Sequence, residues 1–231
     1  MTFLRSALFQ LWFAAVTTVL SLLFVVLLLG PRRATMHLAR VWARATFWGL
    51  RIFAGVGFRV IGTPPKEAVL VAAKHMSMWD TLALYLALDD PGIVLKRELL
   101  SIPFFGWFVG KAAAIPIDRG GKAKALLKMM AAARQVIAEG RPVLIFPEGT
   151  RKKPGAPPDY KPGVAGIYAA LEVACVPVAL NSGQHWRGFW KFPGTITLQF
   201  LEPIPPGLKR PEFMTLLEGR IETATNQLLR G

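Results

Sequence analysis

His75-Met-Ser-Met-Trp-Asp80 pairs a proton acceptor with a carboxylate five residues on. An imidazole with one nitrogen hydrogen-bonded to a carboxylate is fixed in a single tautomer, and its other nitrogen can take a proton from a hydroxyl. General-base help of this kind is worth ~10²–10⁴ in rate. The motif follows the apolar run Ala68-Val-Leu-Val-Ala-Ala73, which reads as a short buried strand, and a helical pattern begins near Trp79. His75 is therefore expected on a strand-to-helix loop. Asp80 then falls in the first helical turn, where the helix dipole favours a carboxylate. A loop-stabilising hydrogen bond without chemistry is the alternative for this pair.

Phe146-Pro-Glu-Gly-Thr-Arg151 follows a second buried-strand pattern, Arg141-Pro-Val-Leu-Ile-Phe146. Open α/β sheets gather ligands outside the carboxyl ends of their strands, so both motifs are expected at one sheet edge. Arg151 presents a planar fork matched to phosphate oxygens. Gly149 lets the backbone turn close to a ligand, and Glu148 and Thr150 bind substrate or order the loop. A structural Glu148 to Arg151 ion pair is the alternative. Together the motifs point to transfer chemistry on a phosphate-bearing substrate.

Four motifs stand in order along the chain: His75 to Asp80, Ile117-Asp118-Arg119, Phe146 to Arg151, and Val176-Pro177-Val178. In this pattern the chain resembles the 1-acylglycerol-3-phosphate O-acyltransferase (lysophosphatidic acid acyltransferase) family of glycerolipid acyltransferases, from Gly62 to Pro206. The resemblance implies that His75 is the base and Asp80 its orienter. It implies that Lys96 and Arg151 hold the acceptor phosphate, with Arg119 a third contributor. The implied reaction moves an acyl group from acyl-carrier protein or coenzyme A to the 2-hydroxyl of 1-acylglycerol 3-phosphate, giving phosphatidic acid. Other acceptors, such as glycerol 3-phosphate or another lyso-lipid, remain open, as does a non-catalytic lipid-binding protein on the membrane surface.

The chain has no Gly-x-Ser-x-Gly elbow, and its one cysteine, Cys175, lies in an apolar run, so direct transfer is expected rather than an acyl-enzyme. A thioester makes that transfer downhill, and no metal or other cofactor is expected. One Cys excludes a disulfide within the chain, and one Cys with three His gives no structural zinc set. Ser77 reads as a loop stabiliser, and His37 and His185 have no partner at diagnostic spacing.

The 28 Lys and Arg against 14 Asp and Glu give a net charge of +14, and the first acidic residue is Glu67. With 53% hydrophobic residues, this basic excess fits an anionic lipid surface better than nucleic acid. Membrane phospholipid, a lysophospholipid acceptor and an anionic thioester donor are the expected partners. Ala7 to Leu29 is uncharged over 23 residues, ~35 Å as a helix, long enough to cross a bilayer core. A cleaved signal peptide fits poorly, because the apolar region is long and no small-x-small site precedes Pro31. A helix that enters and returns within one leaflet is the other geometry.

From Arg32 to Phe53 the pattern is amphipathic, with Arg33, Arg40, Arg44 and Arg51 inside an arc of about 40°. Leu38, Val41, Trp42, Ala45, Phe47, Trp48, Ile52 and Phe53 fill much of the rest of the circumference. Such a helix lies in the interface with its arginines toward headgroups, or it is a domain helix with a wet basic stripe. The arginines put this segment, and the catalytic domain, on the cytoplasmic face.

The expected organisation is a membrane-associated two-helix unit over residues 1–55 and an α/β domain over 56–231, with a mixed, largely parallel sheet flanked by helices. Strands are expected at Gly57 to Ile61, Ala68 to Ala73, Gly92 to Leu95, Ala113 to Ile117, Pro142 to Phe146, Val176 to Leu180 and Thr195 to Leu201. Helices are expected at Trp79 to Leu88, Lys122 to Glu139, Val164 to Val173 and Pro211 to Leu229. Ile102 to Val109, aromatic and uncharged, would line an acyl channel, dip into lipid or pack in the core. Lys152 to Pro158, just after Arg151, is a flap over the site or a passive surface loop.

Overall fold

The computed structural model describes residues 1–27, 29–102, 105–118 and 122–231, apart from the side chains of 122 and 123. Its helices are α1 (Thr2–Leu27), α2 (Arg32–Ala54), α3 (Met78–Ala87), α4 (Phe105–Lys111), α5 (Lys122–Ala138), α6 (Gly163–Leu171), α7 (Ser182–His185) and α8 (Arg210–Arg230). Its strands are β1 (Val56–Ile61), β2 (Leu70–Ala73), β3 (Gly92–Lys96), β4 (Ile115–Ile117), β5 (Val143–Ile145), β6 (Cys175–Leu180), β7 (Trp186–Arg187), β8 (Trp190–Lys191) and β9 (Gly194–Phe200).

Every residue of β2, β5 and β6 is buried, which is why these runs are continuously apolar rather than alternating. They form the middle of a seven-stranded sheet of order β1-β9-β6-β2-β5-β3-β4. The five strands from β6 to β4 are mutually parallel, whereas β9 pairs antiparallel to β6 and carries β1 with it. The sheet is thus mixed and largely parallel, as expected. All seven expected strands and all four expected domain helices are present. The fourth strand starts only at Ile115, because Ala113 has left-handed backbone, φ 53°, at the end of α4.

Helices cover both faces. On one side Phe47, Leu50 and Ala54 of α2 and Trp79, Leu82 and Leu84 of α3 share a core with Phe9 of α1 and the inner residues of β2, β6 and β9. On the other, Met129 and Ala133 of α5, Ile167 of α6 and Phe213, Leu217 and Ile221 of α8 pack on Leu70, Ala72 and Val143. The N-terminal helices are therefore continuous with the core of the α/β domain. Gly55, with φ 68°, ends α2 in a left-handed cap and sends the chain directly into β1.

Helix α1 packs closely along α2: a Cβ at Gly49 would stand 2.0 Å from the Trp12 ring, and Trp42 Nε1 donates to Thr17 Oγ1. The buried face of α2 sets Met36, Phe47 and Leu50 among Thr35, Ala39, Ala43, Thr46 and Ala54, small residues that periodicity in large apolar side chains passes over. Trp48 and Ile52 are instead exposed, together with Arg33, Arg44 and Arg51. Arg40 pairs with Asp89, and Arg32 grips Asp90 through both terminal nitrogens at 2.6 and 2.7 Å. Part of the basic stripe is therefore committed to the domain.

Candidate functional site

The parallel run β2-β5-β3 brings three carboxyl ends side by side, and the predicted site residues leave from them. Extending the register, Leu70 opposite Val143 and Gly92 opposite Val143 put Lys74, Pro147 and Lys96 level with one another. His75 follows at once on the loop to α3.

Asp80 Oδ2 accepts from His75 Nδ1 at 2.9 Å, from the Met76 amide at 2.6 Å and from the Ser77 amide at 2.8 Å. Its Oδ1 is approached by Ser77 Oγ at 3.1 Å and by Ser182 Oγ. Ser77 and Asp80 form a reciprocal capping box that starts α3. A carboxylate that is fully buried and already holds two backbone donors can only accept, so His75 Nδ1 carries the proton and Nε2 is the basic nitrogen. The imidazole is held on its face as well, stacked on Phe146 with centroids 4.0 Å apart. Position and tautomer are both set before any substrate arrives.

Glu148 faces inward. It is buried, and its Oε1 accepts from Lys74 Nζ at 3.0 Å, so it pairs with neither Arg151 nor solvent. Lys74, equally buried, also donates to Glu222 Oε1 of α8 at 2.7 Å, and Tyr160 donates to the same oxygen at 2.9 Å. Glu148 Oε2 has no partner among the described residues. Burial is the main reason that the Glu148 carboxyl titrates above its ordinary range, with Lys74 pulling it back and Glu222 pushing it further up. Burial and the neighbouring Glu222 likewise push the Tyr160 hydroxyl far up. This geometry orders the loop and turns Glu148 away from the site surface.

Gly149 takes φ 62° and its amide returns to the Phe146 carbonyl at 2.8 Å, the tight turn that the sequence anticipates. Thr150 and Arg151 emerge exposed, and Lys96 is exposed at the end of β3. Arg119 lies outside the described residues. Lys152 to Pro158 is anchored rather than loose: the Lys152 amide donates to the His75 carbonyl at 2.8 Å, and Pro154 fills the space a Cβ would need at Gly183. It walls a cleft of about 630 Å³ against α8, with Lys74, Met76 and Thr225 in the lining. Phe105 and Trp107 of α4 are exposed, while Phe108 packs on Phe24 and Tyr85. Ile102 to Val109 is thus split between surface and core, with Pro103 and Phe104 outside the described residues.

Residues 58–181 match the protein-family model for acyltransferases. Over 199 residues the chain is 34% identical to the 1-acyl-sn-glycerol-3-phosphate acyltransferase of Pseudomonas aeruginosa, spanning 84% of this chain and 77% of that protein. The chain belongs to the acyltransferase family. As an acyltransferase it is an enzyme, and the non-catalytic binder is set aside. Its fold is that of the Thermotoga maritima 1-acyl-sn-glycerophosphate acyltransferase crystal structure, with a TM-score of 0.79 at 20% identity and coverage of 99% and 98% of the two chains. A lyso-ornithine lipid O-acyltransferase of P. aeruginosa is also similar, 30% identical over 195 residues and 73% of each chain.

Four residues of this acyltransferase site escaped the sequence reading: Ser182, Lys74, Tyr160 and Glu222. Ser182 was findable, because it follows the carboxyl end of β6 at the same sheet edge. Lys74 had a weaker signal, a lysine closing a strand buried on both faces. Glu222 had none, since it is 148 residues from the lysine it holds.

Proposed function

We propose that this acyltransferase moves an acyl group from a thioester to the 2-hydroxyl of 1-acylglycerol 3-phosphate, with His75 as general base. The observation that carries the reading is the five-donor shell of Asp80, which pins His75 Nδ1 and leaves Nε2 as acceptor. Nε2 takes the hydroxyl proton as the oxygen attacks the thioester carbonyl. A C–O bond forms and the C–S bond breaks. The departing thiolate receives the proton from the imidazolium, which Asp80 stabilises meanwhile. Exposed Lys96 and Arg151 would hold the phosphate monoester, joined by Arg119, and backbone amides of the loop would face the oxyanion. The thioester supplies the driving force, so the proposal assigns no cofactor. Acyl-carrier protein and coenzyme A, both anionic, suit a +14 chain equally.

The enzyme lies in one leaflet. Ser6 and Phe9 hold the start of α1 to the β7–β8 hairpin, and Lys111 Nζ reaches the Leu27 and Gly30 carbonyls at its end. A helix fastened to one domain at both ends, 21 residues or ~32 Å apart, lies along that domain rather than leaving it to span. Phe3, Leu4, Leu8, Leu11, Val19, Leu22, Leu23, Val25 and Val26 are exposed over an arc of about 200°, a broad apolar face for the bilayer. Arg33, Arg44 and Arg51 beside it favour the anionic cytoplasmic leaflet.

The test is acyl transfer by detergent-solubilised protein to a panel of lyso-lipids with each thioester donor. Preference for 1-acylglycerol 3-phosphate is expected, with turnover lost by ~10²–10⁴ in His75→Ala at unchanged melting temperature. Near-normal turnover in that variant would sink the mechanism. Preference for a lyso-ornithine acceptor, which the second P. aeruginosa relative makes worth including, would keep the base and change the substrate.

A further inference from the structure

The β7–β8 hairpin takes no part in the chemistry above, yet it carries a buried lysine and an exposed aromatic cluster. Lys191 is fully buried, its ammonium 4.5 Å from the Trp186 ring centroid and 5.2 Å from that of Phe9. Its Nζ donates to the carbonyls of Gly188 and Phe189, both in the turn of the hairpin, and among the described residues no carboxylate is paired with it. Burial lowers its pKa to about 8, so the arrangement opposes its charge. In water this placement gains little, because a turn carbonyl is hydrated at no cost. In an apolar surrounding each unsatisfied carbonyl costs several kcal/mol, and an internal donor removes that cost.

At and beside the turn, Phe189, Trp190 and Phe3 of α1 are 41%, 44% and 63% exposed. Their rings touch one another, with centroids 5.4 to 6.1 Å apart. The cluster is continuous with the outward apolar face of α1, which begins at Leu4 and Leu8, and the Lys191 amide ties the two together by donating to Ser6 Oγ at 2.9 Å. Arg5 and Arg187 are exposed beside it. Aromatic rings with arginines at their margin suit the headgroup boundary of an anionic bilayer.

We propose that the tip of the β7–β8 hairpin, together with Phe3 at the start of α1, inserts into the headgroup and upper acyl region of an anionic phospholipid membrane, as an anchor beside the apolar face of α1. Lys191 is the internal donor that allows the turn to leave water. The proposal rests on the single-leaflet reading of α1, and the experiment separates the two.

Full-length Phe189→Cys and Leu22→Cys proteins, the native Cys175 being buried, are labelled with an environment-sensitive fluorophore. Each is diluted from detergent into vesicles of phosphatidylcholine with phosphatidylglycerol, some brominated high on the acyl chain. Quenching of both labels is expected. Quenching at Leu22 alone overturns the hairpin anchor and leaves the α1 reading standing, whereas quenching at neither overturns both. A tip label that shifts with protein concentration in the absence of lipid would assign the cluster to a second copy and also overturn the proposal. Phe189→Ser/Trp190→Ser should lower vesicle partitioning by at least ~10-fold. The same variant should keep wild-type turnover on short-chain substrates below their micellar concentration. Equal partitioning, or lost turnover on those monomeric substrates, would count against the anchor.

Discussion

Lys74 and His75 are neighbours in the chain, and each contacts a buried carboxylate, but the two carboxylates are treated differently. Asp80 receives five donors from neutral groups, two of them amides at the start of a helix, so it carries its charge without needing a cation. Glu148 depends on one ammonium that it shares with Glu222, and its second oxygen has no donor among the described residues. The first arrangement holds a proton acceptor in one pose. The second leaves a carboxyl that titrates high and binds two loops to α8. Asp80→Asn is the strongest test of this contrast. Its neutral amide cannot stabilise the imidazolium, and its NH₂, excluded from the Oδ2 side by His75 Nδ1 and two backbone amides, must stand where only the Ser77 and Ser182 hydroxyls can turn to accept. Turnover should fall by ~10²–10⁴, and stability by ~1–3 kcal/mol, read by acyl transfer and thermal unfolding. A loss under tenfold would reduce Asp80 to a helix cap and erase the difference between the sites.

The complementary experiment strikes the other carboxylate. Lys74→Met leaves buried Glu148 and half-buried Glu222 without an ammonium, and removing one partner of a buried pair costs about 3–5 kcal/mol of stability. The folded fraction should still turn over within roughly tenfold of wild type, since His75 keeps its own shell. The penalty should also narrow in acid. Glu148 already titrates above its ordinary value when folded, and loss of the ammonium raises it further. Between the ordinary carboxylate pKa and that raised value the folded state binds the extra proton, so stability rises as pH falls through this window. Adding Glu148→Gln should recover part of the loss at neutral pH. Unchanged denaturant unfolding with lost turnover would move Lys74 from the scaffold into the chemistry.

The same contrast explains what the sequence discloses. His75, Ser77 and Asp80 lie within six residues, because a capping box is local and its spacing is written in the chain. The central strands β2, β5 and β6 are legible for a similar reason: both faces are covered, so each run is apolar throughout. The Lys74 cluster is assembled from a strand end, a loop and a helix far apart in sequence, and no spacing announces it. The reversed direction of β9 is also hidden. Only 13 residues separate Leu180 from Gly194, and they are spent on α7 and a hairpin rather than on a crossover helix, so the chain returns antiparallel. The interior face of α2 is only partly legible, because between Met36, Phe47 and Leu50 it is built largely from Ala and Thr, whose burial reflects close approach rather than hydrophobicity.

Ser182 offers the smallest and sharpest probe. Among the described residues it is the one member of the Asp80 shell supplied from outside the local motif, 102 residues away at the start of α7, and it touches both Asp80 Oδ1 and Ser77 Oγ. Ser182→Ala removes one donor from an oxygen that Ser77 can still reach at 3.1 Å. Stability should drop by ~0.5–1.5 kcal/mol, the ordinary worth of one such bond, and turnover by no more than roughly threefold. The Oδ2 side, which sets the tautomer of His75, is untouched by the change. A loss of turnover approaching that of Asp80→Asn would mean that the local motif does not suffice to orient the base. The orienting unit would then include the sheet edge at β6, and the division between a short-range catalytic pair and a long-range structural one would no longer hold.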